Sequence, residues 1–457
     1  MAGRKRFSVV RDPVHGDVYL THEELTLLDT PQMQRLRGVK QLGAADLVFP
    51  GARHTRFEHS IGTLHLAQRM IDAIAVSAEV DPRACLAIPP EEARVIRIAA
   101  LLHDVTHIPF GHNVEDQAGL MHRHDSAYRF ERMFETSNAL GRALERLGVR
   151  RDVLNILLPP AAPGREEVPH YWSEINSDTV CSDLLDYLAR DAYFTGLKLD
   201  VDPRVLSYFR VDRASGHLCV DVAKHSLLRE DILSELVRLL EARYYFSERV
   251  YYHHAKVAAG ALVGRAVELA LVHGLLEEAD FYDATDHSLL DRLERAAERA
   301  ERGVAARLRS LVTRFRERRL PKRACVFTRR DSEAAQDELV ARYFARERHA
   351  ERAAVEERIA DLVRFATGRE IEILVVCPAR RMQLKEAQTH VRWPGREGVH
   401  PLSEFAEQVP RLADLERSYR DLWKFYVFAD TDDPALLARV AEIAAGEFPG
   451  ARNLYRP

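Results

Sequence analysis

At 457 residues, 46% hydrophobic and 30% charged, the chain has the composition of a soluble globular protein, either two or three ordinary domains or one large helical body with an appendage. Its 66 basic against 70 acidic residues leave a net charge of -4, which argues against a surface built throughout to grip nucleic acid, local basic patches aside. No apolar stretch of signal length follows the basic residues 1–7, no run of about 18 apolar residues occurs, and Cys85, Cys181, Cys219, Cys325 and Cys377 form no CxxC pair; a cytosolic address and reduced, mostly buried thiols are expected.

Residues 7–10 read as a short strand, followed by the turn-like run Asp12-Pro13-Val14-His15-Gly16. Thr21 and Glu24 have the spacing of a capping box that opens a helix. Thr30-Pro31 fits the cap and first position of another, with Met33, Leu36, Val39 and Leu42 on one face until Gly43. Apolar stripes at helical spacing predict helices over 58–78 and 91–104. The Pro-rich stretch 158–170 reads as an exposed loop, and 177–193 as a helix closed by Gly196. Helical patterns run over 222–271 and, laced with charge, over 288–316. Beyond Pro321 the character changes: β-rich runs at 324–328, 371–376 and 424–429 flank a long charged helix predicted over 332–367. The fold class expected is mainly α, a helical core over 1–320 with a smaller α+β C-terminal region over 321–457.

Histidine is the compositional outlier, with eight of 20 between His54 and His124. Such a density concentrates groups that bind metal or move protons near neutral pH. Within it, His103-Asp104 ends the strongly apolar helix 91–104. Neighbours on a regular helix point about 100° apart, so sharing one ion requires the helix to end or bend there, with further ligands from elsewhere. Imidazole and carboxylate without thiolate suit Fe, Mn, Zn, Co or Mg. An isolated His-Asp pair is more often a capped helix end, but here His59 opens the neighbouring helix, and Asp183, Tyr187 and Asp191 stand at i, i+4 and i+8 on one face further on. That row has its own ordinary explanation, a salt-bridge ladder served by Arg190. His107, His112, Glu115 and His124 form a second titratable cluster, whereas His122 reads as a surface residue. The basic run 314–323 reads as solvated or interface-rimming helix rather than a nucleic-acid patch.

The strings 12–120, 183–196 and, more weakly, 243–254 resemble the HD superfamily, specifically its deoxynucleoside triphosphate triphosphohydrolase branch, vertebrate and bacterial. The resemblance implies an HD-domain helical core and a divalent ion held by His59, His103, Asp104 and Asp183. It implies that His107 and His124 bind phosphate oxygens, that His112 and Glu115 lie beside the scissile bond, and that His124 or His112 protonates the leaving oxygen. Arg56 falls near the base and α-phosphate, Arg243 at the distal phosphates and Tyr187 among the phosphate contacts; Gln41, Leu42, Asp191 and Tyr251 fall on the sugar positions. A homo-oligomer, a dimer of dimers in the family's manner, and magnesium carried in with the triphosphate are implied as well.

The chain also departs from the vertebrate pattern. Leu184 stands where a phosphate-binding lysine follows the last metal ligand, and Ser8 and Arg11 replace a lysine and an asparagine of the guanine-nucleotide activator pocket, of which Asp29, Gln34 and Arg37 match. Activation is therefore expected to be altered. No interaction domain is expected ahead of the core, which begins near residue 10. The expected reaction is metal-assisted hydrolysis of dNTPs to deoxynucleoside and inorganic triphosphate. Its rivals are a nuclease or phosphodiesterase on single-stranded nucleic acid or cyclic nucleotides, and a nucleotide sensor that no longer cleaves.

Overall fold

The computed structural model describes residues 7–118, 120–199, 202–345, 348–379 and 387–457, and it is mainly helical. The chain opens with an antiparallel hairpin, Phe7–Asp12 against Gly16–Thr21, two residues longer in its first strand than expected. Its turn is closed by Asp12 Oδ1, which accepts from the Val14 and His15 amides at 2.9 and 2.8 Å. Thr21 and Glu24 form the expected capping box at the start of the His22–Leu28 helix.

The helix expected over 30–43 is corrected. Pro31–Gln34 is a single turn, continued as a 3-10 turn Arg35–Gly38, and Gly43 begins another such turn rather than stopping a helix. At Gly38 a Cβ would stand 2.5 Å from Thr285 Cγ2, so the backbone passes too close to its neighbour for any larger residue. Beyond it the chain extends, bridging Lys40 to Thr55 and Gln41 N to His54 O at 3.0 Å. This places Gln41 and Leu42 on the wall of the cleft described below.

The helical body is built on Arg56–Val80, Pro90–Leu102 and Ser182–Thr195. Ile61, Leu64, Ala67, Ile71 and Ile74 of the first and Val95 to Leu102 of the second are buried. The third starts later than expected, at Ser182, after the short helix His170–Ser177. The break is occupied from outside: the Val180 amide donates to Thr389 Oγ1 at 2.9 Å, and Thr389 Oγ1 donates to Asp178 at 2.8 Å. Gly196 ends the helix at φ +73°, as expected. Over 222–271 the structure adds a two-residue hairpin, then helix Glu230–Phe246, a widened π turn Ser247–Tyr251 and helix His254–Val272.

The C-terminal region carries a three-stranded antiparallel sheet with Lys424–Ala429 between Lys322–Thr328 and Ile373–Val376. The helix expected over 332–367 is two, Arg329–Leu339 and His349–Thr367, with a π turn Val340–Phe344 after the first. At that turn Tyr343 and Phe344 pack inward, 5.6 Å from Phe448 and 5.5 Å from Phe425, which a straight charged helix could not do. A second sheet went unforeseen: Phe209–Val211 and Leu218–Asp221 of the helical body continue, through a parallel pairing of Leu218–Asp221 with His390–Arg392, to His400–Pro401. The C-terminal region therefore completes a sheet of the body instead of hanging from it. The five cysteines are buried and none is joined to another in a disulfide, and no helix among the described residues is long and apolar enough to cross a membrane. In the basic run, Arg314 is buried against Asp430, Arg316 pairs with Asp291 and Glu294, Arg319 with Glu317 and Lys322 with Asp432.

Candidate active site

Helix Pro90–Leu102 ends at His103, which keeps helical φ and ψ, and the Val105 amide then bonds the Leu102 carbonyl in a tighter turn, so the regular ladder stops just where two adjacent side chains must turn to one place. His103 Nδ1 donates to Ala100 O at 2.8 Å, which leaves the Nε2 lone pair outward. From helix Arg56–Val80, His59 gives its Nδ1 hydrogen to Asp186 at 2.7 Å and turns its own Nε2 to within 3.1 Å of His103 Nε2. Two bare imidazole lone pairs at that distance repel unless a cation lies between them. Asp183 Oδ1 completes the group at 3.0 Å from His59 Nε2 and 3.7 Å from His103 Nε2, with Asp104 oxygens 3.8 and 3.5 Å from the same atoms. Donors about 2.1 Å from one ion stand roughly 3 to 3.5 Å apart, so these four residues fit a single divalent ion. The field agrees. Burial alone would push His59 down, yet the hydrogen bonds it donates to Asp183 and Asp186 raise it to about 10, while Asp104, despite burial, is held well below the usual carboxylate range by Arg56, His103 and His107.

Behind this group runs a buried chain that sequence reading missed. Asp186 accepts from His59, from His15 Nε2 at 2.6 Å, and bidentately from Arg190 at 2.8 and 2.9 Å; Arg190 in turn reaches Asp12 at 3.0 Å. Arg190 thus serves Asp186, one position off the Asp183, Tyr187 and Asp191 row for which a ladder was considered. Asp186 fixes the His59 tautomer, a role held in metal sites by a carboxylate behind the ligand. The available signal was the Asp186–Arg190 i, i+4 spacing.

The loop after His103 is pinned by Arg35, which donates to the Val105 and His107 carbonyls at 2.8 and 2.9 Å. Phe110 and Gly111 then take left-handed φ of +59° and +43°, with the Phe110 amide held by Asp286 at 3.0 Å, and the short helix His112–Ala118 follows. His107 and His124 stack at 3.9 Å, and His112 lies 5.4 and 4.9 Å from them. Burial, with Arg56 and His124 beside it, keeps the His107 imidazole well below its ordinary value and so neutral. Glu115 sits behind, accepting from His124 Nδ1 at 2.9 Å and from Arg129; these partners outweigh burial and keep it ionised. His122 is a half-exposed partner of Glu278 at 2.9 Å, in keeping with its reading as a residue outside the cluster.

A cleft of about 430 Å³ joins the two groups. Asp104, Asp183, His107, His112 and His124 line one part, and Arg56, Arg243, Tyr187, Gln41, Leu42, Asp191 and Tyr251 the rest. Asp191 accepts from Tyr251 Oη at 2.6 Å and from the buried His54 at 2.8 Å, which fixes the Asp191 carboxylate and the Tyr251 hydroxyl at the cleft wall. Lys256, Asn113, Tyr252, Pro378 and Tyr419 also line it and were not anticipated. Burial lowers Lys256 to about 8. Asp29, Gln34 and Arg37 lie elsewhere, Asp29 and Arg37 exposed, with Arg37 donating to Gln34 at 2.9 Å and stacking 3.6 Å over Phe57. Leu184 is buried, 2% exposed, and takes no part in the cleft.

Residues 56–191 match the family described as HD domain, and residues 224–445 the one described as HD associated region. The deoxynucleoside triphosphate triphosphohydrolase SAMHD1 of Bos taurus is 30% identical over 305 residues, 61% of this chain and 48% of that one. A homolog of the same description from Dictyostelium discoideum is 28% identical over 340 residues, covering 70% and 60%, and an uncharacterized protein of Methanocaldococcus jannaschii is 28% identical over 288, covering 62% and 54%. The chain thus spans about half the length of the curated relatives it matches. A crystal structure of a hypothetical protein from Aquifex aeolicus superposes with a TM-score of 0.64 over 96% of this chain and 99% of that one, at 23% identity, which shows a shared fold.

Proposed function

This protein belongs to the HD-domain family, and from that premise we propose that it hydrolyses deoxynucleoside triphosphates to deoxynucleoside and inorganic triphosphate. The observation that carries the reading is the convergence of His59, His103, Asp104 and Asp183 at a cleft that also presents Arg56, Arg243 and Lys256. Its volume of about 430 Å³ lies in the range of small-ligand sites. The relatives named as triphosphohydrolases support the same substrate class.

A divalent ion, whether Fe, Mn, Zn, Co or Mg, would supply Lewis acidity toward the α-phosphoryl oxygen and acidify a bound water. The chain's own groups do the rest. Arg56, Arg243, Lys256 and the Tyr187 hydroxyl meet the negative charge of the triphosphate, accompanied by magnesium, and neutral His107 donates to a phosphate oxygen. Water adds at the α-phosphorus, the bond from that phosphorus to the 5′ oxygen breaks, and the 5′ oxygen takes a proton. His124, with its Nδ1 hydrogen held by ionised Glu115, or His112 delivers it. Leu42 and Gln41 floor the sugar pocket, and the Asp191–Tyr251 pair faces the 3′-hydroxyl.

The reading extends to a cytosolic homo-oligomer, a dimer of dimers, with a nucleotide at Asp29, Gln34 and Arg37 modulating activity. Purified protein given each dNTP should release inorganic triphosphate, and His103→Ala with Asp104→Ala should abolish release while leaving the fold measurable by circular dichroism. Release of mononucleotides from labelled oligonucleotides or of pyrophosphate alone would instead favour the nuclease reading. Sedimentation with nucleotide present should give a species larger than the monomer; a monomer at all micromolar concentrations defeats the oligomer.

A further inference from the structure

Four metal-competent side chains that the cleft does not use meet where the C-terminal strand His390–Arg392 joins the body. His170 and Glu174 stand one turn apart on helix His170–Ser177, His217 directly precedes strand Leu218–Asp221, and His390 pairs in register with Cys219 of that strand. The His217 ring stacks between those of His170 and His390, at 4.1 Å from each. Glu174 Oε1 lies 2.6 Å from His217 Nδ1 and 4.0 Å from His390 Nδ1, while Glu174 Oε2 accepts from the Leu218 amide at 2.7 Å. Donor atoms of His170, Glu174 and His217 all fall within 4.8 Å of one another.

We propose that His170, Glu174, His217 and His390 form a second metal site, for a borderline divalent cation of the zinc class, that clasps the C-terminal region to the helical body. Imidazole nitrogens with one carboxylate oxygen are a donor set that suits zinc, cobalt or nickel better than magnesium or calcium. Each neutral imidazole offers an ion one nitrogen lone pair. An imidazole gives that pair in its ring plane, and stacked planes do not meet. Closing on an ion therefore turns rings about their Cβ–Cγ bonds, which the exposed His170 does at little cost, while Glu174 stays anchored by the Leu218 amide. The ion would tie helix His170–Ser177 to two strands that meet in a short parallel contact.

The test is zinc binding by the full chain. Wild type dialysed against zinc is expected to retain one ion per chain more than His170→Ala, an exposed substitution that leaves the fold intact. In a His103→Ala, Asp104→Ala background, adding His170→Ala and His217→Asn should weaken the strongest remaining zinc binding by at least about tenfold. It should also remove a zinc-dependent rise in unfolding temperature. Equal stoichiometry for wild type and His170→Ala, or unchanged affinity on adding the two substitutions, overturns the clasp whether or not the protein proves to be a triphosphohydrolase.

Discussion

Lys256 reaches the cleft from the Tyr251 side, its Nζ donating to the Tyr251 carbonyl at 3.3 Å and lying 5.6 Å from the Tyr251 ring. Burial lowers it to about 8 against an ordinary 10.5. It is therefore charged below about pH 8 and neutral above, so KM for a triphosphate should rise as pH passes 8. Lys256→Met should raise KM at pH 7 and flatten that rise. Stability runs the other way: a lysine with a depressed value costs stability while charged, a cost that fades as pH climbs from 8 to 10.5. Lys256→Met should accordingly unfold at a higher temperature than wild type at pH 7 and lose that advantage near pH 10.5; a KM profile identical to wild type removes Lys256 from the substrate site. Lys256 was illegible in the sequence because a lone lysine in an Ala- and Val-rich helix has no periodic signal. The metal-set residues were legible because each stands in a distinctive local string, whereas Asp186 and His15 were not, being joined only by folding.

Helix Arg56–Val80 shows how one element serves both packing and the site. Gly62, one turn beyond His59, leaves room for the Asp186–Arg190 pair: a Cβ there would stand 1.9 Å from Asp186 Oδ1 and 2.4 Å from Arg190 Nη2. Those groups are buried and mutually bonded, so they cannot yield cheaply. Gly62→Ala should therefore destabilise the protein by about 1–3 kcal/mol in chemical denaturation, although alanine is the better helix former. Unchanged stability would mean that the pair has freedom to move. The amphipathic helices were legible from their apolar stripes, and the two misjudged stretches, 30–43 and 332–367, share a cause. Periodicity registers which residues are apolar, but not that Gly38 must pass Thr285 or that Tyr343 and Phe344 must reach Phe448 and Phe425.

For the whole molecule, the C-terminal region is a working part of the core. It supplies Pro378 and Tyr419 to the cleft, Thr389 to the start of the Asp183 helix, and a strand to the body's sheet. A chain ending at residue 320 would expose the edge of Leu218–Asp221 and the apolar surfaces that the later helices cover, and it should fail to unfold as a soluble cooperative unit. The full chain should show one coincident transition by fluorescence and circular dichroism. A soluble 1–320 fragment with its own sharp transition would restore the picture of an independent appendage.

By itself the sequence determined the helical class, the cap at Thr21 and the imidazoles and carboxylates that are candidates for metal and phosphate chemistry, because these depend on side-chain type and on spacing within short strings. Tertiary structure alone decided which lone pairs face one another, that Asp186 orients His59, and that strand His390–Arg392 seals the body. Those are contacts between residues 44 or more positions apart, and no local periodicity encodes which distant partner a buried polar group will find.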